Sequence, residues 1–190
     1  AGERLEILGG FAVAEGEAGF PAGTRTLLLL GPQEPGFWAH LRAQPEWDGV
    51  PDPVDRWSRR VIGRIACDLG AKALFPFGGP PYHPFYQWAL RSGRVWDSPV
   101  RLLVHSEQGL MVSFRGALAL REVVEVPPPV AKPCDGCAAP CLTACPAGAL
   151  TGAGCGDRSR TSPTTPTPTP PTRAYPTQGP AGQYPSNTPK

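Results

Sequence analysis

Asp52-Pro-Val-Asp-Arg-Trp-Ser-Arg-Arg-Val-Ile-Gly-Arg-Ile-Ala-Cys-Asp-Leu-Gly70 carries the clearest helical signal of the chain, and its pattern sets the fold class. Val54, Trp57, Val61, Ile62, Ile65 and Leu69 recur at three- and four-residue steps, which gives a helix one apolar stripe. Asp52 suits the N-cap, Pro53 the first helical position, Asp55 the positive end of the helix dipole and Gly70 the C-terminal cap. Such a stripe must be buried, and the neighbouring segments predict a sheet for it to lie on. Upstream, Thr26-Leu-Leu-Leu-Leu30 stops at Gly31-Pro32 and reads as a short strand buried on both faces. Phe37, Trp38 and Leu41 predict a brief helix after it. Downstream, Ala73 to Phe77 is a second short apolar run, and Tyr82 to Arg91 reads as a helix ending at Ser92-Gly93. Val100 to His105 and Leu110 to Leu120 flank Glu107-Gln-Gly109 and predict a β-hairpin. Strands and helices therefore interleave in an α+β layered domain over residues 1–126.

The 190 residues are 41% hydrophobic, enough for the core of one ordinary domain with a small appendage. A formal charge of +2 is too mild to argue for nucleic acid. The amino end has no basic region followed by a long apolar stretch, and Leu27 to Leu30 is far too short to cross a bilayer, so a soluble protein without a membrane partner is expected. Six cysteines could form bridges in a small secreted chain. Four of them sit in one metal-like run without an export signal, which points to a reducing, cytoplasmic setting.

That run is Cys134-Asp-Gly-Cys137-Ala-Ala-Pro-Cys141-Leu-Thr-Ala-Cys145-Pro146. So many thiols at this spacing serve a shared centre, which is an iron-sulfur cluster, a zinc ion or a disulfide knot. Zinc sites usually use two Cys-x-x-Cys knuckles parted by a longer loop, whereas this run is continuous and ends in Cys-Pro, which favours a 4Fe-4S cluster. It resembles the ferredoxin-type C-x2-C-x2-C-x3-C-P loop, with three residues instead of two between Cys137 and Cys141. In two-cluster modules the fourth cysteine of a run serves the other cluster, so either Cys145 or Cys155 completes the set with Cys134, Cys137 and Cys141. Prolines at 127–129 and 133 predict a stiff linker over residues 127–133 ahead of this 134–155 segment. From Gly156 to Lys190 there is no Leu, Ile, Val, Phe or Trp, so the Thr/Pro-rich tail is expected to be disordered. The abrupt change of composition where a second cysteine run would stand raises the hypothesis of a truncated or out-of-frame end.

Thr24 to Trp47 followed by Asp52-Pro-Val-Asp55, and then Leu103-Val-His105 leading through Gly109 and Phe114-Arg-Gly-Ala-Leu118, resemble the cobalamin-processing proteins of the nitroreductase-like fold. The likeness covers roughly residues 21–133 and implies binding of cobalamin and reductive or thiol-dependent removal of its upper ligand. It places Arg115 at a position that contacts a thiol cosubstrate, and it matches Gly93 while Leu90 stands in place of a histidine. The order of segments also resembles the epoxyqueuosine reductases, in which a related cobalamin-binding domain precedes a ferredoxin module. That likeness implies electron flow from a cluster to a corrinoid and then to a modified base in tRNA.

Other side chains carry weaker signals. His105 could face a metal or corrinoid, although a lone histidine is more often satisfied by a local hydrogen bond. Arg115, inside an apolar strand, requires an anionic partner. Arg56, Arg59, Arg60 and Arg64 form a basic helix face that is either solvated or a dock for an acidic electron donor or RNA phosphate. The aromatic stretch from Phe75 to Tyr86 could wall a planar cofactor or pack on itself, and Cys67 reads as structural or incidental, not as a ligand. The expected function is one-electron transfer through a 4Fe-4S cluster to a corrinoid, a flavin-like cofactor or a redox partner protein. The alternatives are a non-enzymatic cluster carrier and a zinc-stabilised adaptor.

Overall fold

The computed structural model describes residues 2–147 and 150, all within the first of the two units into which the chain divides, Ala1–Gly156 and Asp157–Lys190. The leucine run becomes strand β2, Thr26–Pro32, with six of its seven residues buried. It lies between β1, Leu5–Ala12, and β6, Gly116–Leu120. β3, Lys72–Leu74, completes an antiparallel sheet of order β1-β2-β6-β3. Because side chains alternate along a strand, Leu27 and Leu29 share one face with Ala119 and Ala117, and Leu28 shares the other with Leu118. The first face packs on Phe85, Trp88 and Ala89, and the second on Ile62 and Ala66. Those residues belong to α3, Phe85–Arg91, and α2, Pro53–Asp68, so a helix covers each side of the sheet. The expected mixed α+β layering, with a strand buried on both faces, is what the chain adopts.

Helix α2 begins and ends where its sequence dictates. Gly70, at φ 61°, donates to Cys67 O at 3.1 Å, and Ala71 donates to Ala66 O at 2.8 Å, the paired bonds of a left-handed C-terminal cap. Asp52 does occupy the N-cap, but its carboxylate bonds to no helix N–H; the Arg56 N–H reaches its backbone oxygen at 3.0 Å instead. Trp57, Val61, Ile62 and Ala66 are buried, while Leu69, just past the end of the helix, stays exposed. The short helix α1, Phe37–Arg42, lays Phe37 and Leu41 against Trp57 and Val61.

Two expectations are corrected. The stretches around Glu107-Gln-Gly109 do not form a hairpin: β5, Leu103–His105, pairs with β4, Val95–Asp97, in a separate two-stranded sheet, whereas β6 joins β2 and β3. All five residues of β6 are buried, and such a strand lowers its free energy most inside a sheet covered on both sides. The third helix starts at Phe85, not Tyr82, because Pro80, Pro81 and Pro84 supply no N–H and disfavour helical geometry in the residues before them.

Strand β1 was hidden by Gly9-Gly10, yet those glycines permit it. A Cβ at Gly9 would meet Ser92 at 2.8 Å, and one at Gly10 would meet Leu27 O at 2.8 Å. The proline connector lies along the end of α3, with the Val130 N–H donating to Gly93 O at 3.1 Å. Gly93 is required there, since a Cβ would stand 2.8 Å from Pro129 and its φ is 67°. Among the described residues no helix is long and apolar enough to cross a membrane.

Candidate functional site

The cysteine run folds as two successive tight turns. Asp135 donates to Lys132 O and Cys137 to Cys134 O, both at 3.1 Å, with Gly136 at φ 77° supplying the left-handed residue that an Asp-Gly turn calls for. Ala139 is also left-handed, at φ 51°, and Pro140 opens a 3-10 turn, Pro140–Leu142, closed by the Leu142 N–H on Ala139 O at 3.1 Å. These turns bring Cys134, Cys137 and Cys141, all unbridged, onto one cavity of ≈ 200 Å³. Pro133 and Pro140 line it from the cysteine side, and Ser98, Val104, Gly109 and Leu110 line it from the β4–β5 side. Cys134 and Cys141 are half-buried and Cys137 is exposed. Cys145 is half-buried and outside that lining, and Cys155 lies outside the described residues. The tail expected over 156–190 also lies outside them.

His105, next to Val104 in β5, is buried and does not line the cavity. Its Nδ1 accepts from the Glu107 and Gln108 N–H groups, both at 3.1 Å, so Nε2 carries the proton and donates to Leu8 O at 2.8 Å. Burial pushes the imidazole pKa below its ordinary value, the Leu8 contact and the Glu107 and Glu6 carboxylates acting against it. Both ring nitrogens are thus engaged locally. The same turn closes through reciprocal backbone bonds between His105 and Gly109, and Arg94 pairs with Glu107 beside it.

Ser98 is the residue that sequence reasoning missed. Its N–H donates to Leu102 O at 2.9 Å and its carbonyl accepts from Arg101 at 3.0 Å, which spends its backbone in the β4–β5 connection. Its side chain is buried, and the hydroxyl has no hydrogen-bond partner among the described residues. The only signal was Ser98-Pro99, which marks a turn and says nothing of burial.

The other candidates are committed elsewhere. Arg115 finds its anion in Asp55 of α2, at 3.6 Å, and donates from Nε to Phe114 O at 3.1 Å. Burial lowers its pKa and Asp55 raises it. The basic face of α2 is neutralised: Arg56 pairs with Asp48, Arg60 with Glu46, and Arg64 with Glu3, while Arg59 lies over the Phe77 ring at 5.1 Å. In the aromatic stretch Phe75 packs on Phe77, His83 stacks on Trp88, and Tyr86 bonds to Asp97, so these rings pack on the protein itself. Cys67 is exposed on α2.

Among the described residues no group of three or more His, Cys, Asp or Glu side chains is gathered into a metal-holding cluster. The three thiols share a cavity without closing on one point. Their chemistry nonetheless suits a soft metal. Compared with protein-family models, with curated proteins and with solved structures, the chain matches none.

Proposed function

We propose that this protein holds a 4Fe-4S cluster at the thiol cavity and serves one-electron transfer. The observation that carries the reading is that Cys134, Cys137 and Cys141, spaced much as in a ferredoxin-type run, line one cavity backed by the folded domain. When bound, such a cluster supplies one-electron oxidation and reduction. Cys134, Cys137 and Cys141 are the residues that would hold it, with Cys145 or Cys155 giving the fourth sulfur. Val104, Leu110, Pro133 and Pro140 give the cavity apolar walls, and exposed Cys137 marks the side open to a donor or acceptor protein. In this reading a ferredoxin-type segment follows a nitroreductase-like domain.

A specific observation favours a carrier over a reductase with a cofactor of its own. His105, offered by its chemistry to a metal or corrinoid, and Arg115, offered by resemblance to a thiol cosubstrate, are both engaged inside the domain. Adding cobalamin or flavin to purified protein is expected to leave the cofactor spectrum unshifted; a shifted spectrum with stoichiometric binding would establish the reductase. Anaerobic purification tests the main reading. A brown protein containing iron and sulfide, bleached by dithionite and colourless after Cys137→Ser, is expected. A colourless protein containing zinc, or one with full colour in Cys137→Ser, overturns it.

A further inference from the structure

His105 is 2% exposed, and its two ring nitrogens hold the turn that follows it to strand β1. Nε2–H donates to Leu8 O of β1 at 2.8 Å, while unprotonated Nδ1 accepts from the Glu107 and Gln108 N–H groups, both at 3.1 Å. Reciprocal backbone bonds between His105 and Gly109, at 3.0 and 3.1 Å, close the same turn. The residues held in this way face two cavities. Gly109 and Leu110 line the thiol cavity, and Gln108 and Met111 line a second one of ≈ 230 Å³ that also meets Leu8 and Ser113. A charged imidazole donates from both nitrogens and accepts at neither. A proton on Nδ1 would therefore stand against two N–H groups, and the ring cannot take up charge while the turn keeps this geometry.

We infer that residues 105–109 form an acid-released latch: protonation of His105 frees the Glu107 and Gln108 N–H groups and withdraws Gly109 and Leu110 from the thiol cavity. The latch acts on the shape of the cavity, whatever group the thiols hold. Three charges face the ring. Glu6 of β1 and Glu107 of the turn favour the imidazolium, Arg94 ahead of β4 opposes it, and burial opposes it most. Arg94 is itself paired with Glu107, so part of that attraction is already spent in the closed turn. Opening the turn returns the ring to water, where a histidine takes its proton near its ordinary pKa of about 6.5. The open form thus binds the proton more readily than the closed one, and acid draws the equilibrium toward it by up to about tenfold per pH unit below that value.

Hydrogen exchange on the full chain, purified anaerobically and read by mass spectrometry, tests the latch in the peptide spanning residues 106–111, which contains both cavity-lining residues. Between about pH 7.5 and about pH 5, after correction for the intrinsic effect of pH on amide exchange, wild-type protection there is expected to fall by about ten- to thirtyfold. Residues 26–32 of β2 are expected to stay better protected than the turn at both values, which makes the opening local. His105→Asn puts a carboxamide oxygen near the place of Nδ1, an acceptor that takes no proton, and is expected to keep the turn protected equally at both values. Corrected protection of 106–111 that does not change with pH in wild type overturns the inference, whether or not the variant folds. So does an equal fall in folded His105→Asn, which would assign the effect to another group, or protection at 26–32 no higher than at 106–111, which would make the opening an unfolding of the whole domain.

Discussion

At the residue scale, the buried ionisable groups show how cost is offset in this domain. Arg115 is partly desolvated beside β6 and faces Asp55 across the α2 interface. Removing only the anion leaves a cation with its desolvation cost uncompensated, so Asp55→Asn is expected to lower stability by about 1–2 kcal/mol in urea unfolding. Arg115→Leu removes charge and cost together and is expected to be the milder change. His105 sets a pH dependence. Its folded pKa lies below the ordinary 6.5 because burial disfavours the charged ring. The unfolded chain therefore binds the proton first, and stability, full above about pH 6.5, falls as pH drops from there through the folded value. Urea unfolding over that range should show the decline in wild type, reduced in His105→Gln. A decline of equal slope in both would assign it elsewhere. The lone-histidine pattern left two readings open in the sequence, and the choice depended on three backbone groups, one of them 97 residues away.

At the element scale, β2 is the spine of the domain. Leu29 is fully buried between neighbouring strands and under α3, so Leu29→Ala is expected to cost about 2–5 kcal/mol. Leu69, in the same apolar periodicity as Trp57 and Ile62, is 58% exposed, so Leu69→Ala should change stability by no more than about 0.5 kcal/mol. Comparing the two by chemical denaturation separates periodicity from burial. Helix α2 was legible because its stripe and its terminal glycine are local, within one or two turns. The hairpin over 100–120 was misread for the opposite reason. A turn signal at Gly109 shows that the chain reverses, but not which strand it meets next, and the wholly buried β6 found its neighbours some 45 and 90 residues away in sequence. β1 was illegible because the glycines that admit Ser92 and Leu27 weaken any local strand pattern.

At the scale of the whole molecule, the core and the cysteine turns come from different parts of the chain. The core clusters involve β1, β2, β3, β6 and the helices, whereas 157–190 offer no Leu, Ile, Val, Phe or Trp. Ending the chain after Gly156 is expected to leave its thermal unfolding midpoint unchanged; a fall of several degrees would show that those residues contribute to stability. The cavity stands where the cysteine turns meet the smaller β4–β5 sheet, so a site from the carboxyl side of the chain is walled by residues from its middle. By itself the sequence determined the helix α2 with its C-terminal cap, the doubly buried strand β2, the mixed α+β class and the close spacing of the thiols, because each depends on composition or on periodicity over a few residues. Only the tertiary structure decided the sheet order, the partners of His105 and Arg115, and the meeting of the cysteine turns with the β4–β5 sheet at one cavity. Those depend on which distant segments share a core, and hydrophobic burial is proportional to area without being specific to a partner, so no local pattern encodes them.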